Sequence, residues 1–154
     1  MSEIQNEIEE DCDGDDASST VNDASSTGDD ASQTAKEAAD PKSVALMHEV
    51  DGWLSHVWMV RAFLKHSDEA TDDEELADVH RGLYDFMLAL GPSLDSGDAV
   101  RYLRIARKKI GKLKKATASF RELQPEVSGH MNFRMAAKSL TLAVQRVDEL
   151  LQVT

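Results

Sequence analysis

The chain has 154 residues, with 17 Lys and Arg against 29 Asp and Glu, and a net charge of −12. Its single cysteine, Cys12, excludes an internal disulfide and a Cys-based zinc site. No apolar run approaches the roughly 18 residues that a spanning helix needs, and the first residues are acidic where a signal peptide starts basic. A soluble, cytoplasmic protein without a membrane segment is expected.

The charge is unevenly divided. Residues 1–41 contain 13 acids and one base, Lys36, whereas residues 42–154 contain 16 acids and 16 bases. The leading segment carries a loose seven-residue repeat, DDASST, NDASST and DDASQT, from Asp15 to Thr34. Its seam positions are not apolar, which argues against a coiled coil. Few apolar groups and a like-charge excess cannot offset chain entropy, so residues 1–40 are expected to be a disordered acidic tail. Ile4 and Ile8 flank a short acidic stretch that suits a docking motif, and Thr20, Ser26, Thr27 and Thr34 each precede an acid by three residues, as acid-directed kinase sites do.

From Pro41 onward the apolar residues recur every three or four positions, which predicts an all-α domain over 41–154, an antiparallel four-helix bundle. The first predicted helix opens with Asp40 as N-cap and Pro41 at the first helical position. Leu46, Val50, Trp53, Val57, Val60 and Leu64 form its seam. Met47, Leu54, Trp58, Met59 and Phe63 widen the apolar surface, so either the helix is deeply buried or Trp58, Met59 and Phe63 meet a partner. Gly52 is expected to permit close helix approach. Arg61 falls within the apolar stripe and needs to snorkel outward, to find a carboxylate, or to bind an anion.

Thr71 and Glu74 read as the capping box of a second helix, with the stripe Leu76, Val79, Leu83, Phe86, Met87 and Leu90 and a stop at Gly91-Pro92. A third helix runs from about Asp98 to Leu123, with Ala99, Leu103, Ala106, Ile110, Leu113, Thr117 and Phe120 as its seam and Tyr102 beside it. A fourth starts between Pro125 and His130, with Phe133, Ala136, Leu140, Ala143, Val147 and Leu150 inward, widened by Val144 and Leu151.

Charge also segregates between helices. His66 to Asp98 holds ten acids and one base, Arg81, whereas Ala99 to Arg121 holds nine bases and no acid. Part of this pattern pairs the second helix with the third. The remainder points to an anion-binding face of Arg101, Arg104, Arg107, Lys108, Lys109, Lys112 and Lys115. That face lacks stacking aromatics, and no nucleic-acid-binding motif accompanies it, which disfavours base-specific nucleic-acid recognition. The acidic tail is long enough to reach the basic helix and screen it.

Histidines offer other chemistry. The stretch MHEVDGWL, Met47 to Leu54, opens on a His-Glu pair at helical spacing. It resembles the phosphoacceptor box of histidine kinases, which implies His48 as a phosphoacceptor in a stand-alone phosphotransfer bundle. Asp51, Gly52 and Trp53 depart from the residues that follow the pair in that family, and the remaining chain has no room for an ATP-binding domain. A histidine and carboxylate metal site from Glu49, His56 and His80 is the other alternative, although the Glu-x-x-His pairs of di-metal bundles are absent. No nucleophile elbow or buried carboxylate pair is evident, so no catalytic residue and no cofactor is expected. The pattern predicts a non-enzymatic interaction or regulatory protein that binds a protein partner or a second copy through helix 1.

Overall fold

In a computed structural model the described residues are 39–153. The heptad-like repeat, Cys12, Ile4, Ile8, the four Ser/Thr sites and the expectation of a disordered tail all lie outside the described residues.

The described residues form five α-helices and no strand: α1 Pro41–Lys65, α2 Asp68–Asp72, α3 Glu74–Asp95, α4 Ala99–Val127 and α5 Met131–Gln152. The closest packing is between α3 and α4 and between α1 and α5, followed by α4 with α5 and α1 with α3, with a lesser contact of α1 on α4. Tyr102, Phe120, Met47, Leu54, Leu64, Leu76, Leu83, Leu113 and Leu140 are fully buried where these helices meet. At about 1.5–3 kcal/mol for each large apolar side chain removed from water, this cluster is the main term opposing chain entropy.

The stripes of α3, α4 and α5 are buried as the spacing predicts, with Met87 and Ile110 only half-buried. In α1 the inward row differs. Met47 and Leu54 are buried, whereas Leu46 and Trp53 are half-buried. A helix that packs on α3, α4 and α5 buries a wide arc, and a single-seam reading selects the wrong edge of it.

The start of α1 at Asp40-Pro41 is as expected, and three other boundary expectations are corrected. Asp40 caps α1 through its backbone alone, its carbonyl accepting from Val44 N at 3.1 Å while its side chain makes no cap. The Thr71–Glu74 capping box does not form. Thr71 sits within the extra short helix α2, which Ser67 caps through Ala70 N, and Asp73 instead caps α3, accepting from Leu76 N at 2.9 Å. Asp ranks above Thr at an N-cap, which favours this register.

Gly91-Pro92 does not stop α3, which runs to Asp95. Pro92 is exposed and the proton it lacks would serve the carbonyl of Leu88, itself 58% exposed and within reach of water. The true stop is Gly97 at φ 68°, where Gly97 N donates to Leu94 O at 3.0 Å and Asp98 N to Ser93 O at 2.9 Å. Those two bonds define a Schellman motif. Likewise α4 passes through exposed Pro125 to Val127, and α5 starts at Met131 with His130 as its cap.

Gly52 is not a point of close approach, since a Cβ there would meet nothing within 4 Å. Gly82 is the tight one. A Cβ on it would stand 3.3 Å from Ala116 Cβ, and this pair of small residues lets α3 and α4 approach closely.

Candidate functional site

The exposed face of α1 is built from its outward positions. Trp58 is 42% exposed and Met59 is 65% exposed, large apolar surfaces left to water. Phe63 is different. It is half-buried and meets Phe133 of α5 edge-on, with ring centroids 5.0 Å apart. Trp58 turns the other way, toward Tyr84 of α3 at 6.4 Å. Trp58 and Phe63 therefore lean toward two different neighbouring helices, while Met59 faces water.

Between Trp58 and Tyr84 lies Arg61. Its guanidinium carbon is 4.9 Å from the Trp58 ring centroid and 4.6 Å from that of Tyr84. The side chain thus lies in an aromatic wedge on its way outward, and among the described residues no carboxylate pairs with it. Its Nε is sealed from solvent and has no hydrogen-bond partner. His80 stands close by on α3. Burial first, then the charges of Arg61, Arg81 and Lys65, hold its imidazole below the ordinary histidine range, against a small opposing contribution from a backbone hydrogen bond.

On the far side of the two rings a cleft of about 470 Å³ opens between α1, α3 and the start of α4, with Leu54, Met87 and Leu88 among its apolar walls and Asp51 and Asp95 among its polar ones. Burial raises the carboxyl of Asp51, while His48 one turn away lowers it. Tyr102 backs the cleft with its hydroxyl buried and unpartnered, and its phenol is pushed well above the ordinary tyrosine range by burial and by the charge of Asp51.

The bases of α4 divide by direction. Lys114 pairs with Asp148 of α5 at 2.7 Å, and Arg107 donates from Nε to Leu151 O at 3.0 Å. Lys112 and Lys115 line a groove with Glu75 and Asp78 of α3, and Lys109 lines a second groove with Asp85. Arg101, Arg104 and Lys108 are exposed, follow one another at spacings of three and four, and form no ion pair among the described residues. Intramolecular charge pairing therefore accounts for some of the basic helix and leaves an outward row.

The remaining histidines are dispersed. His48 is exposed on α1. His56 contacts Ser139 of α5 at 3.4 Å, and Glu49 reaches Arg146 of α5 at 3.3 Å. His80 belongs to the other flank, against Arg61, so the structure does not bring Glu49, His56 and His80 together as metal ligands. Among the described residues no group of three His, Cys, Asp or Glu side chains is placed to hold a metal ion. No helix among them is long and apolar enough to cross a membrane.

Comparison with protein families, with curated proteins and with solved structures yields no match. The assignment therefore rests on geometry. Sequence reasoning missed Tyr84 and Asp51 at this surface, and it set His80 beside Glu49 and His56 where the structure sets it near Arg61. Each sits on a helix at the right spacing, but the pairing of Trp58 and Arg61 with Tyr84 depends on the register of α1 on α3, which spacing within one helix does not fix.

Proposed function

We propose that this chain is a non-enzymatic interaction module, an antiparallel four-helix bundle of α1, α3, α4 and α5 that engages acidic protein segments through α4 and a protein partner through the exposed part of α1. The pairs Glu49–Arg146, His56–Ser139 and Phe63–Phe133 support the antiparallel reading, because residue numbers rise along α1 as they fall along α5. The observation that carries the binding role is the outward row Arg101, Arg104 and Lys108, exposed and without an ion pair to any of the described residues. Unpaired cations in a row attract a polyanion and steer its approach, an effect that salt screens over a Debye length of about 8 Å at physiological ionic strength.

Residues 1–41, with 13 acids and one base, are the nearest such polyanion in sequence. In this reading they compete with external acidic partners for α4 and set the threshold for binding. The test compares the full chain with residues 41–154 for binding to poly-glutamate, at low and high salt. The shorter chain is expected to bind more tightly at low salt, and a triple charge reversal of Arg101, Arg104 and Lys108 to Glu is expected to abolish the binding. Equal affinities of the two lengths would end the competition, and binding that survives the charge reversal would end the role of α4.

A further inference from the structure

The cleft between α1, α3 and the start of α4 has two unlike ends. Trp58 and Tyr84 face each other at 6.4 Å, and from that contact the lining runs back along α1 to Asp51 and forward along α3 to Asp95. The rings therefore stand at one end and the two carboxylates at the other, about 10 Å away along α1 at the helical rise of about 1.5 Å per residue. Leu54, Met87 and Leu88 supply apolar wall, and among the described residues no Lys, Arg or His lines the cleft. Neither carboxylate forms an ion pair among those residues. Asp51 is half-buried, so an ion pair made there is screened less than one in open water.

Tyr102 closes the back of the acidic end. Its side chain is fully buried and its hydroxyl has no hydrogen-bond partner, whereas buried hydroxyls are normally paired. The charge of Asp51 acts on this phenol, so the two groups are neighbours, yet no hydrogen bond joins them. A group with several N–H donors set between them serves both, giving one proton to the carboxylate and one to the phenol oxygen. An ammonium does this and also brings the charge that two carboxylates attract. We propose that this cleft is a binding site for a small organic amine, its ammonium held by Asp51 and Tyr102 and its apolar body laid toward the Trp58 and Tyr84 rings. The hydroxyl is shut off from bulk water, and contact with it takes a small movement of the wall, where half-buried Met87, with its flexible thioether chain, yields most easily. A volume of about 470 Å³, mostly apolar walls and a few convergent polar groups suit a small ligand. An anionic ligand would meet like charge there, and a purely apolar one would leave Asp51 and Tyr102 without partners.

This site goes beyond the protein-binding role and does not depend on the basic row of α4. The full chain is titrated with phenylbutylamine, with its neutral counterpart phenylbutanol and with phenylbutyrate, at mildly alkaline pH where imidazoles are neutral and alkylammonium groups charged. The indole N–H resonance of Trp58, identified by its loss in Trp58→Phe, is followed by NMR, and that of Trp53, which does not line the cleft, serves as the control. The amine is expected to give a saturable shift of Trp58 alone, the alcohol to bind about tenfold more weakly, and the carboxylate to give no saturable shift. Asp51→Asn is expected to bind the amine about tenfold more weakly and the alcohol as before. Tyr102→Phe is expected to weaken the amine severalfold while raising the melting temperature, because it removes a buried hydroxyl that has no partner. An amine that fails to saturate, or that binds no more tightly than the alcohol, overturns the site. Unchanged amine binding in either Asp51→Asn or Tyr102→Phe overturns it too.

Discussion

His80 reports most directly on how single residues feel this surface. Its imidazole is half-buried and faces the charges of Arg61 and Lys65 on α1 and Arg81 on its own helix. In the folded state it takes up a proton at lower pH than in the unfolded chain, whose histidines titrate near 6.5. As pH falls through that value the unfolded state binds the proton first, so stability is lost on acidification and recovered toward neutrality. Urea unfolding of the wild type and of His80→Gln, at neutral and mildly acidic pH, isolates this contribution. The wild type is expected to lose more stability on acidification than the variant. The same loss in both proteins would mean that His80 does not feel its neighbours. The types and spacing of these residues are visible in the sequence, which marks Arg61 as misplaced within an apolar stripe. What the sequence does not carry is the wedge itself, since Trp58, Arg61 and Tyr84 meet only once α1 and α3 are set side by side.

Helices were more legible than their ends. The apolar periodicity of α3, α4 and α5 gives nearly all of their buried residues, because burial selects one face whatever the caps do. Ends depend on which of several neighbouring signals prevails, and proline and glycine mislead when read alone. Pro92 and Pro125 both lie inside helices, in last turns where a missing hydrogen bond falls at the surface. Gly97 ends α3 because its φ of 68° is a left-handed conformation, and Asp98 then caps α4 by accepting from Arg101 N at 2.9 Å. Two glycines should accordingly respond in opposite ways to alanine. Gly52 is exposed in the middle of α1 with open space around it, so Gly52→Ala is expected to raise the unfolding free energy by about 1 kcal/mol through helix propensity. Gly97→Ala must hold a side chain at positive φ and is expected to lower it by about 1–2 kcal/mol. Denaturant midpoints of the two variants check both signs. A stabilising Gly97→Ala would show that the junction does not require a left-handed residue.

For the molecule as a whole, charge and core are allotted to different stretches of chain. Every buried apolar residue among those described falls between Met47 and Leu151, whereas residues 1–41 carry the whole net charge. The two should therefore separate experimentally. At high salt, where exposed charge pairs contribute little, residues 39–154 are expected to melt at the same temperature as the full chain, because the buried core, Ala39 against it and the Asp40 cap of α1 are all kept. At low salt a difference becomes possible, and its sign is informative. If the acidic stretch lies over the outward bases of α4, the full chain is the more stable of the two and the gap closes as salt is added. If the stretch stays clear of α4, its mutual repulsion does not act on the folded part and the two melts coincide at every salt concentration. A truncated chain that melts lower even at high salt would instead require apolar packing by the leading residues, and the division of labour between acidic segment and helical core would have to be abandoned.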